Sequence, residues 1–122
     1  MSNLTQEWLN RTREQKKNLE LLETRLIEES NITLNEYYVL YFLNISEEKE
    51  MRLNDLQLEI GLSQSAMSRM ISRMENKNCS LIERHCCMTD RRGIYIGITK
   101  SGYLKLKSSQ KIVDSIVRKF LN

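Results

Sequence analysis

Ser63, Gln64, Ser65, Ser68, Arg69 and Arg73 fall within one short stretch of a 122-residue chain, and Arg91 and Arg92 follow as an adjacent pair. Serine and glutamine side chains both donate and accept hydrogen bonds. A guanidinium is a planar fork that matches a phosphate or the edge of a guanine. Paired arginines at a hairpin tip suit the negative potential of a narrow minor groove. The bland alternative for the first group is a polar helix face that meets only water, and the residue types alone leave both readings open.

A second group carries sulfur chemistry. Cys86 and Cys87 follow Arg84 and His85 and precede Arg91 and Arg92. Cations beside a thiol favour its thiolate, the form an oxidation sensor needs. The competing reading makes both cysteines small hairpin residues with no signalling role. A metal site is not expected, because adjacent ligands in His85-Cys86-Cys87 cannot easily face one ion and no Cys-x-x-Cys pair occurs. No cofactor is expected either. An enzyme finds no support, since there is no glycine-rich phosphate loop and no nucleophile elbow.

The elements that must hold these residues are mostly helical. Met67, Met70, Ile71 and Met74 recur at i, i+3, i+4 and i+7, so the first polar group rides the opposite face of an amphipathic helix. Gly61 punctuates before it and Ser63 caps it. A preceding helix runs from about Asn54 to Ile60, after a very short strand at Arg52-Leu53. Upstream, Thr33 and Glu36 make a capping box, with Ile32 and Tyr37 as hydrophobic staple, for a helix to about Asn44. Ser46 to Glu50 reads as an exposed acidic loop. Downstream, Leu81–Arg84 and Ile94–Ile98 read as two strands joined by Met88–Gly93. Thr99 then caps a last helix with apolar rows Ile112, Ile116, Phe120 and Val113, Val117, Leu121.

Residues 3–29 read as one helix, with Asn3 as cap and a stripe through Leu4, Trp8, Leu19, Leu22 and Leu26. About 27 residues span roughly 40 Å, more than so small a domain covers by itself. A second subunit is therefore expected on this stripe and on the terminal double row. Trp8, Tyr37, Tyr38, Tyr41 and Phe42 are read as core in preference to a ligand pocket.

Composition agrees. Apolar residues are 40% and charged residues 29%, with no proline and four glycines, which suits long helices. The net charge is +3, but the first 62 residues carry a balance of −5 and the remainder is basic throughout. Such a dipolar layout orients a chain toward a polyanion. No apolar run approaches a membrane span and no secretory pattern opens the chain, so a cytoplasmic protein without a membrane partner is expected; the three cysteines suit a reducing compartment.

Helix, turn, polar-faced helix and basic hairpin together describe a winged helix-turn-helix, a mainly α fold with a small β wing. Asp90-Arg91-Arg92 followed by Ile98-Thr99-Lys100-Ser101-Gly102 resembles the D-R-R…L-T-x-x-G signature of MarR-type transcriptional regulators. Gly61 to Arg69 is similar to that family's recognition-helix start, and Arg84 falls where the family often keeps an arginine. The length is similar to that of the staphylococcal accessory regulators. The resemblance implies one domain over 1–122, with 1–30 and 100–122 as dimerisation helices around a winged helix-turn-helix at 33–99. It also implies a homodimer on a pseudo-palindromic operator in double-stranded DNA, acting as a repressor released by a small ligand, such as an aromatic effector, or by oxidation. Asp90 would brace Arg92. The rival from another class is a winged helix that contacts protein and not DNA.

The chain departs from the family pattern in three places. Between Met74 and Ile82 the usual glycine is missing and two residues are extra, which passes the left-handed cap role to Asn78. Only one helix fits after the wing. His85-Cys86-Cys87 stands where polar or proline residues are usual.

Overall fold

In the computed structural model, residues 3–76, 78, 80–87 and 90–121 are described, with backbone alone at 87 and 90–92. The order is α1 (Asn3–Ser30), α2 (Leu34–Ile45), a 3-10 turn (Glu47–Lys49), β1 (Glu50–Arg52), α3 (Leu53–Ile60), α4 (Gln64–Glu75), β2 (Ile82–Cys87), β3 (Asp90–Ile98) and α5 (Lys100–Phe120). This is the expected winged helix-turn-helix between two long helices.

Local chemistry sets the helix boundaries. The capping box of α2 is complete: Glu36 N–H donates to Thr33 Oγ1 (3.1 Å) and Thr33 N–H to Glu36 Oε1 (2.8 Å). Glu36 is buried, and a carboxylate tolerates that place because it accepts a backbone N–H at the positive end of a helix. α3 ends on Gly61 at φ +82°, the left-handed conformation that costs glycine nothing. Ser63 Oγ accepts Ala66 N–H at 3.2 Å and starts α4. Thr99 Oγ1 does the same for Gly102 at 3.0 Å and starts α5.

Several boundaries differ from expectation. Asn3 lies inside α1 and does not cap it. The short strand is Glu50–Arg52, so α3 begins at Leu53, and the acidic loop contains a tight turn with Glu48 and Lys49 at φ near +60°. β1 joins the hairpin, giving a three-stranded antiparallel sheet in the order β1-β3-β2. The hairpin strands are longer than their apolar runs, with Asp90 to Gly93 in strand and a register shift between Cys86 and Cys87. Backbone pairing extends them past the residues that bury side chains.

α4 ends at Asn76, which is itself not left-handed (φ −95°, ψ 4°); positions 77 and 79, on either side of the expected Asn78 cap, lie outside the described residues. Ser80 Oγ donates to the Glu75 carbonyl (2.5 Å) and Leu81 N–H to the Met74 carbonyl (3.1 Å). Carbonyls that a glycine motif would satisfy are thus satisfied by the returning chain.

The core gathers Leu26, Leu40, Leu43, Leu56, Ile71, Met74, Ile96 and Leu106. α5 lies along α1 and α2, and its apolar rows rest on that core: Ile116 is buried, and Ile112, Val113, Val117 and Phe120 are half-covered. The double row therefore does find a cover within the chain, in the earlier helices; Leu121 at its end stays 79% exposed. Ser30 and Ser109 meet at 2.7 Å where α1 ends against α5. Ser109 Oγ donates to the Lys105 carbonyl, which leaves Ser30 as the donor to Ser109.

α1 is different along its length. At 1.5 Å per residue its 28 residues reach about 42 Å, and only Leu22, Leu26 and Ser30 are buried. Leu4 (75% exposed) and Trp8 (68%) lie beyond the core. Trp8 is thus no core residue of this chain, unlike Tyr37, while Tyr41 is exposed and Tyr38 and Phe42 are half-buried.

Candidate nucleic-acid interface

α4 is held by its methionines. Met67, Met70, Ile71 and Met74 are each 2% exposed or less, which fixes the helix's rotation on the core. Steps of about 100° per residue then place Ser65, Arg69 and Ser72 at the middle of the outward face. Gln64 and Ser68 flank them on one side and Arg73 on the other. Ser63, Gln64, Ser65, Ser68, Arg69 and Arg73 are all exposed, so the structure brings the six expected residues onto one open surface. Among the described residues Arg69 and Arg73 make no hydrogen bond or ion pair.

The first backbone N–H groups of α4 point along the helix axis, past the Ser63 cap. Helix N-termini of this kind attract anions. Ser63 and Ser65 hydroxyls are 3.5 Å apart at this end. Arg69 and Arg73 border a surface cleft of 220 Å³ shared with Glu23 of α1 and with Thr33 and Asn35 at the start of α2. Glu23 and Asn35 were not singled out from the sequence, and Thr33 only as a helix cap, since nothing local ties residue 23 to residue 69.

The hairpin stands beside α4 and is tied to it. Arg84 Nη2 donates to Glu75 Oε1 at 2.9 Å, joining β2 to the last turn of α4. The arginine seen from its family position thus has a structural partner. On the next residue, His85 Nε2 meets Glu50 Oε2 of β1. His85 pairs with Tyr95 and Cys86 with Ile94, so the histidine and Cys86 take opposite faces of β2. Cys86 is an exposed free thiol. The side chains of Cys87, Asp90, Arg91 and Arg92 lie outside the described residues, and with them the expected Asp90–Arg92 brace. The backbone puts 90–92 at the start of β3, at the far end from α5.

Of the aromatic residues, Tyr37 is in the core and Tyr38 and Phe42 pack against it. Burial, helped by the charge of Asp114, pushes the Tyr37 hydroxyl up to about 12. Burial and the charge of Glu23 raise Tyr38. Tyr41 and Phe42 meet edge to face at 5.5 Å. Beside them a cleft of 230 Å³ opens between α1 and α5, lined by Leu19, Leu22, Tyr38, Val117, Phe120 and Leu121 among others. Among the described residues no group of three or more His, Cys, Asp or Glu could hold a metal, and no described helix is long and apolar enough to cross a membrane.

Comparison with known proteins places this geometry. The family model described as MarR family matches residues 32–94, just over half of the chain. The crystal structure of AbsC, a MarR family transcriptional regulator from Streptomyces coelicolor, is similar over 99% of this chain and 81% of that one, at 31% identity and a TM-score of 0.88. Sco3205, a MarR family transcriptional regulator from the same organism solved in complex with DNA, is similar over 94% of this chain and 73% of its own, at 20% identity and a TM-score of 0.82. The MepR–DNA complex of Staphylococcus aureus aligns over 94% of this chain and 81% of its own, at 22% identity and a TM-score of 0.78. The last two, at such identities, speak to the fold alone. No curated protein matches.

Proposed function

The chain belongs to the MarR family, and on that premise we propose that it is a DNA-binding transcriptional regulator, acting as a homodimer on a pseudo-palindromic operator. The observation that carries this reading is the outward face of α4. Six polar side chains, two of them arginines without a described partner, stand on a helix locked by buried methionines. Such a helix enters the major groove, with Gln64, Ser65 and Arg69 toward base edges and Ser63, Ser68 and Arg73 toward bases or phosphates. Arg91 and Arg92, on the wing, enter the adjacent minor groove.

Homodimerisation rests on α1. Its N-terminal half carries Trp8 and Leu9, 68% and 38% exposed, and the end of α5 carries Leu121, 79% exposed. A second copy covers that surface and sets two recognition helices one duplex turn apart, about 34–36 Å. Repression by occupancy of the operator is the mode we favour. Release follows from an aromatic effector in the Tyr38–Phe120 cleft or from oxidation at Cys86 or Cys87.

A winged helix that contacts only protein is the competing reading, and the free arginines argue against it. Selection of bound fragments from random duplex DNA, with and without oxidant, tests the proposal. Enrichment of an inverted repeat supports it; recovery of no sequence preference and no retained DNA contradicts it.

A further inference from the structure

On one face of the sheet the register sets Glu50 and Glu83 on either side of Gly97, and Arg52 and His85 on either side of Tyr95. Cross-strand partners share a face, so these six positions form one patch. Gly97 has no side chain, and Glu50 reaches over it to His85, Oε2 to Nε2 at 2.5 Å. A Cβ at 97 would meet His85 Cε1 at 3.6 Å, Glu83 Cγ at 3.8 Å and Glu50 Cβ at 3.9 Å. Those side chains therefore close over the glycine. The His85 ring runs nearly parallel to that of Tyr95, with centroids 6.3 Å apart and planes 10° apart. The Arg52 guanidinium stands 5.7 Å over the same ring. The contact joins two parts of the binding surface, because β1 runs directly into α3 while β2 carries the wing.

We propose that Glu50 and His85 are positioning residues for DNA binding, a proton-dependent brace that sets the angle of the wing against the helix-turn-helix. This rests on the DNA-binding reading. Protonated, His85 pairs with the Glu50 carboxylate as an ion pair; neutral, it keeps at most a hydrogen bond in one tautomer. His85 is the only histidine in the chain, and histidine is the side chain whose ordinary titration falls between pH 5 and 8. The titratable or charged groups facing it are Glu50 and Arg52 of β1, Glu83 of β2 and Tyr95 of β3. From α4, Glu75 is held by Arg84 on the opposite face of β2. The brace tightens as pH falls and slackens as pH rises. With the two side chains 43% and 31% exposed, its effect is that of an exposed ion pair, about two- to fivefold in an equilibrium.

Charge alone and a brace make opposite forecasts for one substitution. Glu50→Gln removes a negative charge near a polyanion, which by charge alone tightens binding; loss of the brace weakens it. The test measures binding of a fluorescent duplex recovered by selection, at pH 6 and pH 8 and constant ionic strength, for wild type, Glu50→Gln, His85→Gln and His85→Lys, each checked for folding by circular dichroism. Wild type is expected to bind about two- to fivefold more tightly at pH 6 than at pH 8. Glu50→Gln and His85→Gln are expected to bind more weakly than wild type at pH 6 and to lose the pH dependence. His85→Lys, with a permanent cation opposite Glu50, is expected to keep tight binding at pH 8. Wild-type or tighter binding by Glu50→Gln at pH 6, or a pH dependence that survives in Glu50→Gln, overturns the brace. A wild type that binds no duplex at either pH overturns the DNA-binding reading itself.

Discussion

The carbonyl oxygen of Leu81 occupies the space a side chain on Gly102 would need: a Cβ there would lie 2.0 Å from that oxygen and 2.9 Å from Ile98 Cγ1. The same carbonyl accepts the N–H of Thr99 at 3.1 Å, while Thr99 Oγ1 donates to the Ser80 carbonyl at 2.6 Å and accepts Gly102 N–H. One threonine thus starts α5 and pins the strand that leads into the wing, and the glycine three residues on lets the two backbones touch. The Thr-x-x-Gly spacing has a packing reason.

Gly102→Ala is therefore expected to lower the unfolding free energy by about 1–3 kcal/mol, as an overpacked site does. Urea denaturation checks this, and an unchanged midpoint would show that the backbones separate without cost.

Arg69→Ala and Arg73→Ala should leave stability within about 0.5 kcal/mol, both being exposed. Their effects on binding should differ in kind. Arg69, central on α4, should cost about 1–3 kcal/mol and relax preference at one base position. Arg73, on the flank, should weaken selected and scrambled duplexes alike and reduce the salt slope by about one. Parallel titrations of the two duplexes separate these outcomes.

Arg92→Ala should lower affinity by about tenfold or more in a folded protein, through loss of the minor-groove contact. A footprint identical to that of wild type would refute the wing assignment.

What was legible in the sequence was what a few neighbouring residues decide. The Thr33–Glu36 box, the left-handed Gly61, the Ser63 and Thr99 caps and the Met67-to-Met74 face are local chemistry, and each stands where its spacing predicts. Contacts between distant segments were not legible. Glu50 meets His85 across 35 positions, and β1 has three residues, too short for any alternation to announce its place in the sheet. Trp8 was misread because a stripe of apolar residues has the same period whether a core or nothing in the chain covers it. The rows of α5 erred the other way: the chain's earlier helices cover most of what looked open.

Tyr37 couples stability to alkaline pH. Its hydroxyl is raised from an ordinary value of 10 to about 12 in the folded chain, so the folded state holds its proton longer than the unfolded one. That stability is fully present below pH 10 and is lost as pH climbs toward 12. Thermal melts between pH 8 and 11 should show a decline that Tyr37→Phe, which has no proton to lose, reduces. An equal decline in both proteins would assign the effect elsewhere.

If the exposed arginines of α4 and the arginines of the wing engage the phosphates of duplex DNA, the salt dependence of binding shows it most directly. Titrating one duplex at 50 and at 200 mM salt should show affinity falling by roughly 10³ or more, as counterions released by several Lys and Arg contacts require. Affinity that stays flat across that range would contradict it.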